Sequence, residues 1–325
     1  MSEQSESGVR PAARSTFIGY ALVLTAAVLF GVNAGMSRIP MRSGTDVTTF
    51  TSLRITAALG LVVLIALAFD RSALRPPRLR EVPLVVGLGI VGIAGLQGTY
   101  NVAIDRLPLG IALLLEYTGP VLVVLWVRFA RREPVHPRIW PALLLTLVGL
   151  GVVSRVWNGL TFDGLGVAMA LGAAVCFASY FLLGEDVRVG EEPLRYFLWA
   201  FVAAAVLMNV VQPAWTATAL GTEASMLGRL DHLTIPAWSA MTYVVVLGTV
   251  APFFLLLLAL RSLSAIVVSV VAMLEPVVAT IVGWAWFAEA LSPLQVGGVL
   301  AVLTGIVLAQ TARRRPPEPA LPPPT

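Results

Sequence analysis

The sequence has no lysine, one cysteine and two histidines among its 325 residues. A single cysteine, Cys176, excludes an internal disulfide, and His136 and His232 lie too far apart to give the spacing of a zinc site. No Gly-Lys-Ser or Gly-Lys-Thr stretch is present, which argues against a phosphate-binding loop of the ATPase type. Charged residues make up only 12% of the chain, whereas a soluble domain carries roughly a quarter. The sequence therefore predicts no metal or other cofactor and argues against a soluble protein.

Apolar residues are abundant instead and make up 58% of the chain. Ten apolar segments are each long enough, at about 1.5 Å per helical residue, to cross about 30 Å of hydrocarbon. We expect all of them to be helices, because a transmembrane barrel would show short alternating segments. The predicted spans are 16–36, 47–69, 82–103, 108–129, 138–156, 164–184, 195–213, 236–259, 264–287 and 292–311.

The arginines predict how these spans are oriented. If the N-terminus is cytoplasmic, Arg54 lies within a span, five of the 22 basic residues face outside and the other sixteen face inside. This positive-inside bias places both termini in the cytoplasm, in a cell or inner membrane. Because the arginines are scattered between apolar runs, the net charge of +4 does not indicate a nucleic-acid partner.

Both ends of the chain differ from the apolar middle. Residues 1–15 are polar, and the apolar run that follows is expected to be a first membrane span and not the core of a cleaved signal peptide. The tail at 312–325 is rich in proline and is expected to be disordered.

The chain also contains an internal repeat. Residues 107–154 align without gaps with residues 263–310, so that Pro120 matches Pro276 at an offset of 156. A shorter match, at an offset of 147, pairs Leu24 to Phe30 with Leu171 to Phe177. A repeat of this length in an apolar chain is typical of a duplicated membrane transporter.

The two copies are predicted to be inverted, because five spans, an odd number, separate each matched pair. We therefore expect two five-helix halves, at 16–156 and 164–311, that meet near the middle of the bilayer. Since an internal duplication supplies both halves, a monomer or a weak dimer is the expected assembly.

Three charged residues lie inside predicted spans, where a charge is costly and is a candidate functional group. Arg54 is ~10 Å deep and Glu116 is ~12 Å deep from the same outer face, so we predict that they are close, directly or through water. Arg54 would then receive a substrate carboxylate, and Glu116 an amino group or a proton; the alternative is a structural ion pair. Glu275 is ~16 Å deep and precedes Pro276, which can open its helix. Its alternative role is to bond the backbone groups that this proline frees.

Other polar residues within the spans are candidates for the wall of a binding cavity. Asn33 and Tyr180 fall at matched positions of the first and sixth spans. Most such residues only bond one helix to another, which is the alternative role for each of them. The substrate-binding candidates are Asn33, Arg54, Tyr100, Asn101, Glu116, Tyr117, Tyr180 and Glu275, with Glu116 also the candidate for proton coupling.

Two stretches resemble the ten-helix, EamA-type members of the drug/metabolite transporter superfamily. One is Leu274-Glu275-Pro276-Val277, and the other is Leu115-Glu116-Tyr117-Thr118-Gly119-Pro120, with Glu133 after it. The second stretch is similar to the threonine/homoserine exporter branch, where a Glu-aromatic-Thr-Gly-Pro run also occurs. The resemblance implies an alternating cavity without an ATP-binding part.

These observations predict a secondary active transporter that exports a small polar metabolite, an amino acid or a derivative, with proton coupling as one option. The alternatives are a multidrug or cation exporter, a nucleobase exporter, and a membrane scaffold that transports nothing. Small multidrug relatives carry a glutamate in the first helix, and Phe17 to Ile39 contains no acidic residue. An enzyme is not expected, because no cluster of His and Asp is visible. The expected partners are a small-molecule substrate and the lipid bilayer.

Overall fold

A computed structural model of the chain describes residues 9–42, 44–107, 109–154, 163–187, 192–217, 221, 223–288 and 292–311. Most of the predicted N-terminal tail and the whole predicted C-terminal tail at 312–325 lie outside these residues. The first helix begins at Val9, ahead of the predicted first span.

The described residues form an all-helical membrane fold, as predicted. They include nine helices long and apolar enough to cross a membrane, and a shorter apolar helix in the fifth position. We name these segments in chain order: α1 (Ser15–Met41), α2 (Val47–Phe69), α3 (Val82–Arg106), α4 (Ile111–Ala130), α5 (Ile139–Val153), α6 (Gly164–Val187), α7 (Pro193–Val211), α8 (Ala237–Ala259), α9 (Ala265–Ala285) and α10 (Pro293–Thr311). With 15 residues, α5 is ~22 Å long, so ten crossings remain a prediction.

Five of these segments are not regular along their whole length. The span α1 lies in a helix that is regular over Val9–Met36 and continues, after a break at Ser37, as the short helix Arg38–Arg42. The interruptions of α4 and α9 separate two helical pieces, and α3, α4 and α8 each contain a stretch of π-helix. The pieces are Val82–Gly87, Leu88–Gly95 (π) and Leu96–Arg106 in α3; Leu109–Glu116, Gly119–Leu125 and Trp126–Ala130 (π) in α4; Ala237–Val245, Val246–Val250 (π) and Ala251–Ala259 in α8; and Ala265–Ala272 and Glu275–Ala285 in α9.

The connections are short, except between α7 and α8. Here β1 (Glu223–Ser225) and β2 (Thr234–Pro236) form an antiparallel pair. Trp286 of the turn after α9 donates its indole N–H to the carbonyl of Met226, 3.0 Å away, which fixes the hairpin to the bundle. Single 3₁₀ turns occur at Arg71–Leu74, Ala214–Thr216 and Gly228–Leu230.

The packing of the helices follows the repeat. The first helix of each half packs on the third and fourth helices of the other half, α1 on α8 and α9, and α6 on α3 and α4. The second helices, α2 and α7, pack on each other, and so do the fifth helices, α5 and α10. Such an exchange is expected of two similar halves related by a two-fold axis.

Two glycines show the same symmetry at the level of residues. A Cβ added at Gly149 would meet the carbonyl of Gly298, and a Cβ added at Gly305 would meet the carbonyl of Ala142. Both pairs, Gly149 with Gly305 and Ala142 with Gly298, differ by the offset of 156. Small residues therefore let α5 and α10 approach closely at matched points.

Candidate functional site

The interruptions of α4 and α9 lie at matched positions and bring polar groups into the apolar bundle. Helix α4 breaks at Tyr117-Thr118, directly before Gly119-Pro120, and α9 breaks at Met273-Leu274, directly before Glu275-Pro276. Each proline lacks a backbone N–H for the carbonyl four residues earlier. The prediction that Pro276 opens its helix is confirmed.

Tyr117 and Glu275 join the two interruptions. The Tyr117 hydroxyl donates to Oε2 of Glu275 at 2.7 Å and lies 3.4 Å from the carbonyl oxygen of Ala272. The Ala272 carbonyl is the one that Pro276 leaves without its helical donor. Tyr117 is almost completely buried and packs edge-on against Phe177 of α6. The carboxylate of Glu275 is thus held by a group from the other half of the protein.

Arg54 of α2 binds the π-helical stretch of α8. Its Nε donates to Oγ1 of Thr249 at 2.5 Å, and its Nη2 donates to the carbonyl oxygen of Gly248 at 2.6 Å. The Gly248 carbonyl is four residues before Pro252, which has no N–H to give it. Disruption of the regular hydrogen-bond ladder by π-turns and prolines is common at functional sites. The backbone of α8 therefore supplies the acceptor that a buried guanidinium requires.

Arg54 and Glu116, which were predicted to be close directly or through water, are not directly paired, and a contact through water stays a prediction. In the described residues no hydrogen bond or ion pair joins them, because Arg54 turns toward α8. The carboxylate whose charge interacts with Arg54 is Glu275. The sequence placed both acids near the depth of Arg54 but gave no means to choose between them.

Glu116 is the last residue of the first piece of α4. Only 8% of it is exposed. It lies within electrostatic range of the Glu275 carboxylate and of the neutral Tyr100 hydroxyl, while no hydrogen bond or ion pair reaches its carboxylate from the described residues. Tyr100 is partly buried and lies within electrostatic range of Glu116, Glu275, Arg54 and Arg38. Glu116 is thus a buried acid whose charge has no partner of its own.

The other predicted residues line the edge of this cluster and bond to the protein itself. Asn101 donates to the hydroxyl of Thr51 on α2. Asn33 accepts from Ser37 at 3.2 Å, and its amide packs directly on Gly248.

Tyr180 also bonds within the bundle. It is fully buried and donates to the carbonyl oxygen of Phe253 at 2.6 Å. Its predicted contact with substrate, like that of Asn33 and Asn101, remains a prediction.

The structure thus gathers Arg54, Tyr100, Glu116, Tyr117 and Glu275, from both halves, around the two interruptions. Sequence reasoning missed Gly248 and Thr249, which hold Arg54. Their signal was the run Gly248-Thr249-Val250-Ala251-Pro252 inside an apolar span, since a proline there frees the carbonyl four residues earlier. The described residues contain no group of three or more His, Cys, Asp or Glu side chains suited to a metal ion.

A comparison with known families identifies the class of protein. The EamA-like transporter family matches the chain twice, at residues 17–155 and 164–311, and these two matches span most of the sequence. The chain belongs to the EamA-like transporter family. The predicted resemblance is therefore confirmed, and the protein is a multi-pass membrane transporter and not an enzyme.

Several relatives are similar to this EamA-like transporter over nearly its full length. The threonine/homoserine exporter RhtA of Escherichia coli K12 is 29% identical over 291 residues, which cover 88% of this chain and 90% of that protein. RhtA of Salmonella typhimurium LT2 is 28% identical over 302 residues, 91% of this chain and 92% of that protein. An uncharacterized transporter of Archaeoglobus fulgidus is 26% identical over 294 residues, 90% of this chain and 96% of that protein.

A crystal structure of a protein with 19% sequence identity shares the fold of this EamA-like transporter. It superimposes with a TM-score of 0.71 and covers 92% of this chain and 97% of its own. At this identity the similarity concerns the fold alone.

Proposed function

We propose that this EamA-like transporter exports a small zwitterion, an amino acid or a close derivative, by alternating access and in exchange for protons. The observation that carries the proposal is the cluster at the two interruptions, where Arg54 and two carboxylates, Glu116 and Glu275, all lie within electrostatic range of Tyr100. The names of the threonine/homoserine exporters, which are similar over 88% or more of the chain, also support an amino-acid substrate.

The cluster has one cationic and two anionic groups, and its contacts distinguish the two acids. Glu275 has the Tyr117 hydroxyl, the charge of Arg54 and a position in the first turn of a helix, where a negative charge is stabilised. Glu116 has none of these. Because an unpaired buried charge is strongly disfavoured, Glu116 is the acid that a proton or an ammonium group neutralises.

The guanidinium of Arg54 is suited to the other end of a zwitterion. A guanidinium has five N–H donors, and α8 takes one at Nε and one at Nη2. The others are available to a carboxylate, which a guanidinium binds with matched geometry. The substrate carboxylate then lies at Arg54 and its ammonium group at Glu116.

This arrangement couples transport to protons. The ammonium group and a proton compete for one carboxylate. The binding site therefore changes from one face to the other with either the amino acid or the proton bound. An inward proton gradient then drives export. Rocking of the two halves around the interruptions opens the site first to one face and then to the other.

We also propose ten crossings, with both termini in the cytoplasm. Helix α5 is short, but it packs on α10 through contacts that repeat at the offset of 156, and both are the fifth helices of their halves. Ten crossings keep the two halves inverted, whereas nine would not. The duplicated halves complete the site within one chain, which supports a monomer or a weak dimer.

The first experiment compares Glu116→Gln with the wild-type protein in liposomes. We expect uptake of labelled threonine or homoserine driven by a pH gradient to fall more than tenfold in the variant, because a neutral amide no longer binds and releases a proton. Counterflow of the same amino acids, which needs no net proton movement, should persist at a higher substrate concentration, because the amide oxygen still accepts a hydrogen bond from the ammonium group. The matched control is Glu133→Gln, the same change at an exposed glutamate, which should leave both assays unchanged.

Two outcomes contradict the proposal. Equal gradient-driven uptake by wild type and Glu116→Gln would make Glu116 a structural residue. No uptake or counterflow of any amino acid by the wild-type protein would point to a nucleobase, a cationic drug or another metabolite, and a protein that moves no solute at all would be a scaffold.

A further inference from the structure

Gln97 of α3 lies on the helix face that borders the charged cluster. It is three residues before Tyr100 and four before Asn101, so the three side chains share one face of the helix. Its piece of α3 begins at Leu96, directly after the π-helical stretch Leu88–Gly95. Gln97 is therefore one helical turn from the residues that meet α2 and the two glutamates.

The amide of Gln97 is buried and lacks hydrogen bonds. Only 5% of the residue is exposed, and neither Oε1 nor Nε2 has a partner in the described part of the chain. Buried amides are almost always bonded, because the lost hydrogen bonds to water are otherwise not replaced. An amide kept in this state at the edge of a binding cluster indicates a partner that is not part of the protein.

Other side-chain amides in the same bundle are bonded. Asn101 donates to Thr51, and Asn209 donates to Thr56 and to the carbonyl of Ala205. Gln295 donates to the carbonyl of Val153. The fold thus satisfies amides readily where they only join helices, and Gln97 differs from this pattern.

A second buried group without a partner lies on α2, on a different face. Ser52 is fully buried, and its hydroxyl has no partner among the described residues. Ser52 is next to Thr51, which holds Asn101, and Gln97 is one turn from Asn101 along α3. Ser52 is also three residues after Thr49 and four before Thr56, which bond Gln212 and Asn209 near the end of α7. It therefore shares the face toward α7, and only Gln97 faces the cluster.

We propose that Gln97 binds the side chain of the transported amino acid and selects a neutral side chain that both donates and accepts a hydrogen bond, such as a hydroxyl. This inference rests on the proposed function. Arg54 and Glu116 bind groups common to all amino acids, so they cannot tell one side chain from another. Gln97 supplies one acceptor and two donors to the part of the substrate that varies. An apolar side chain of the same size leaves these groups unbonded and is rejected.

The test compares isosteric pairs of amino acids in counterflow: threonine with valine, and homoserine with norvaline. We expect the wild-type protein to favour the hydroxylated member of each pair by about tenfold or more, the effect of one or more hydrogen bonds. Gln97→Leu should reduce this ratio to near one by improving transport of the apolar member as well as weakening the other. Gln212→Leu, the same change at a glutamine that bonds to Thr49 and Thr216 near the end of α7, is the matched control.

Thermal unfolding separates binding from a structural role. Because Gln97→Leu removes an unbonded polar group, its melting temperature should equal or exceed that of the wild type. A clear fall in melting temperature would mean that the amide has structural partners and would overturn the proposal. An unchanged hydroxyl preference in Gln97→Leu would also overturn it while leaving amino-acid export in place.

A wild-type protein that moves no amino acid would contradict the proposed export function instead. Gln97 is then tested by the shift in melting temperature that hydroxylated neutral solutes, such as nucleosides and polyols, produce in the two proteins. A shift in the wild type that is lost in Gln97→Leu supports a hydroxyl-selective site. No shift with any of them in the wild type overturns it.

Discussion

Tyr117 connects the two halves of the transporter through a single hydroxyl group. The hydroxyl lies between the carboxylate of Glu275 and the Ala272 carbonyl, both on α9, while the tyrosine itself belongs to α4. Tyr180, by contrast, donates to the backbone carbonyl of Phe253 on α8. Among the described residues, no hydrogen bond joins it to a carboxylate. Both tyrosines are almost fully buried. Comparing them therefore distinguishes a hydroxyl that acts in the site from one that only joins two helices.

We expect Tyr117→Phe to impair transport and Tyr180→Phe to spare it. Loss of the hydrogen bond to charged Glu275 should lower stability by about 1.5–3 kcal/mol, and loss of the neutral bond at Phe253 by about 1 kcal/mol. Only Tyr117→Phe leaves a partly buried carboxylate, that of Glu275, without its donor. Thermal unfolding and amino-acid counterflow measure the two effects, and equal transport defects in both variants would contradict this division of roles.

At the scale of the elements, prolines set where the helices present their backbone. Pro252 frees the Gly248 carbonyl that Arg54 binds, and Pro276 frees the Ala272 carbonyl that Tyr117 approaches. Pro120 stands in the same relation to the carbonyl of Glu116. The site is therefore built from backbone acceptors that a regular helix would have used internally.

Pro252→Ala should make the protein more stable and less active. A restored N–H at this position competes for the Gly248 carbonyl and extends regular helix, which removes a penalty of up to ~3 kcal/mol for proline within a helix. Arg54 then shares its acceptor and loses its fixed position. Melting temperature should rise while counterflow falls, whereas Pro193→Ala, in the first turn of α7 where proline is tolerated, should change neither. A variant that is less stable and fully active would contradict this role of Pro252.

The same elements show which features the sequence could predict. The repeat located both helix interruptions, because Pro120 and Pro276 act on the backbone of their own helix. The partner of Arg54 was not predictable in this way, since Glu116 and Glu275 lie at similar depths and the choice depends on how α2 packs on α8. The π-helical stretch at Val246–Val250 also escaped prediction, because apolar periodicity does not distinguish a π-turn from an α-turn.

At the scale of the whole molecule, matched positions of the two repeats make contacts between the halves at both ends of the bundle. At one end, Nη1 of Arg131 after α4 lies 2.6 Å from Glu185 of α6, and its Nη2 lies 3.0 Å from Asp186. Glu185 also accepts from the backbone N–H of Ala265 at the start of α9, 3.0 Å away. These contacts join the two halves on the face predicted to be cytoplasmic.

The repeat places matched residues on the opposite face. Arg38 matches Glu185 at the offset of 147, and Phe287 matches Arg131 at the offset of 156. There the guanidinium of Arg38 lies over the Phe287 ring, 4.7 Å from its centroid. Between the halves, one face thus has an ion pair of Arg131 with two carboxylates, and the contacts on the other face include the cation–π contact of Arg38 with Phe287.

Arg131→Gln and Phe287→Leu should therefore open opposite faces. Gln97→Cys, on the buried face of α3 that borders the charged cluster, reports opening when Cys176 is replaced by serine and an impermeant maleimide is added to one side of the membrane. We expect Arg131→Gln to speed labelling from the cytoplasmic side about fivefold, which corresponds to ~1 kcal/mol of lost closure. Phe287→Leu should speed labelling from the outside. If both variants accelerated labelling from the same side, the matched contacts would not act as opposing gates, and reversed sides would instead overturn the predicted orientation of the termini.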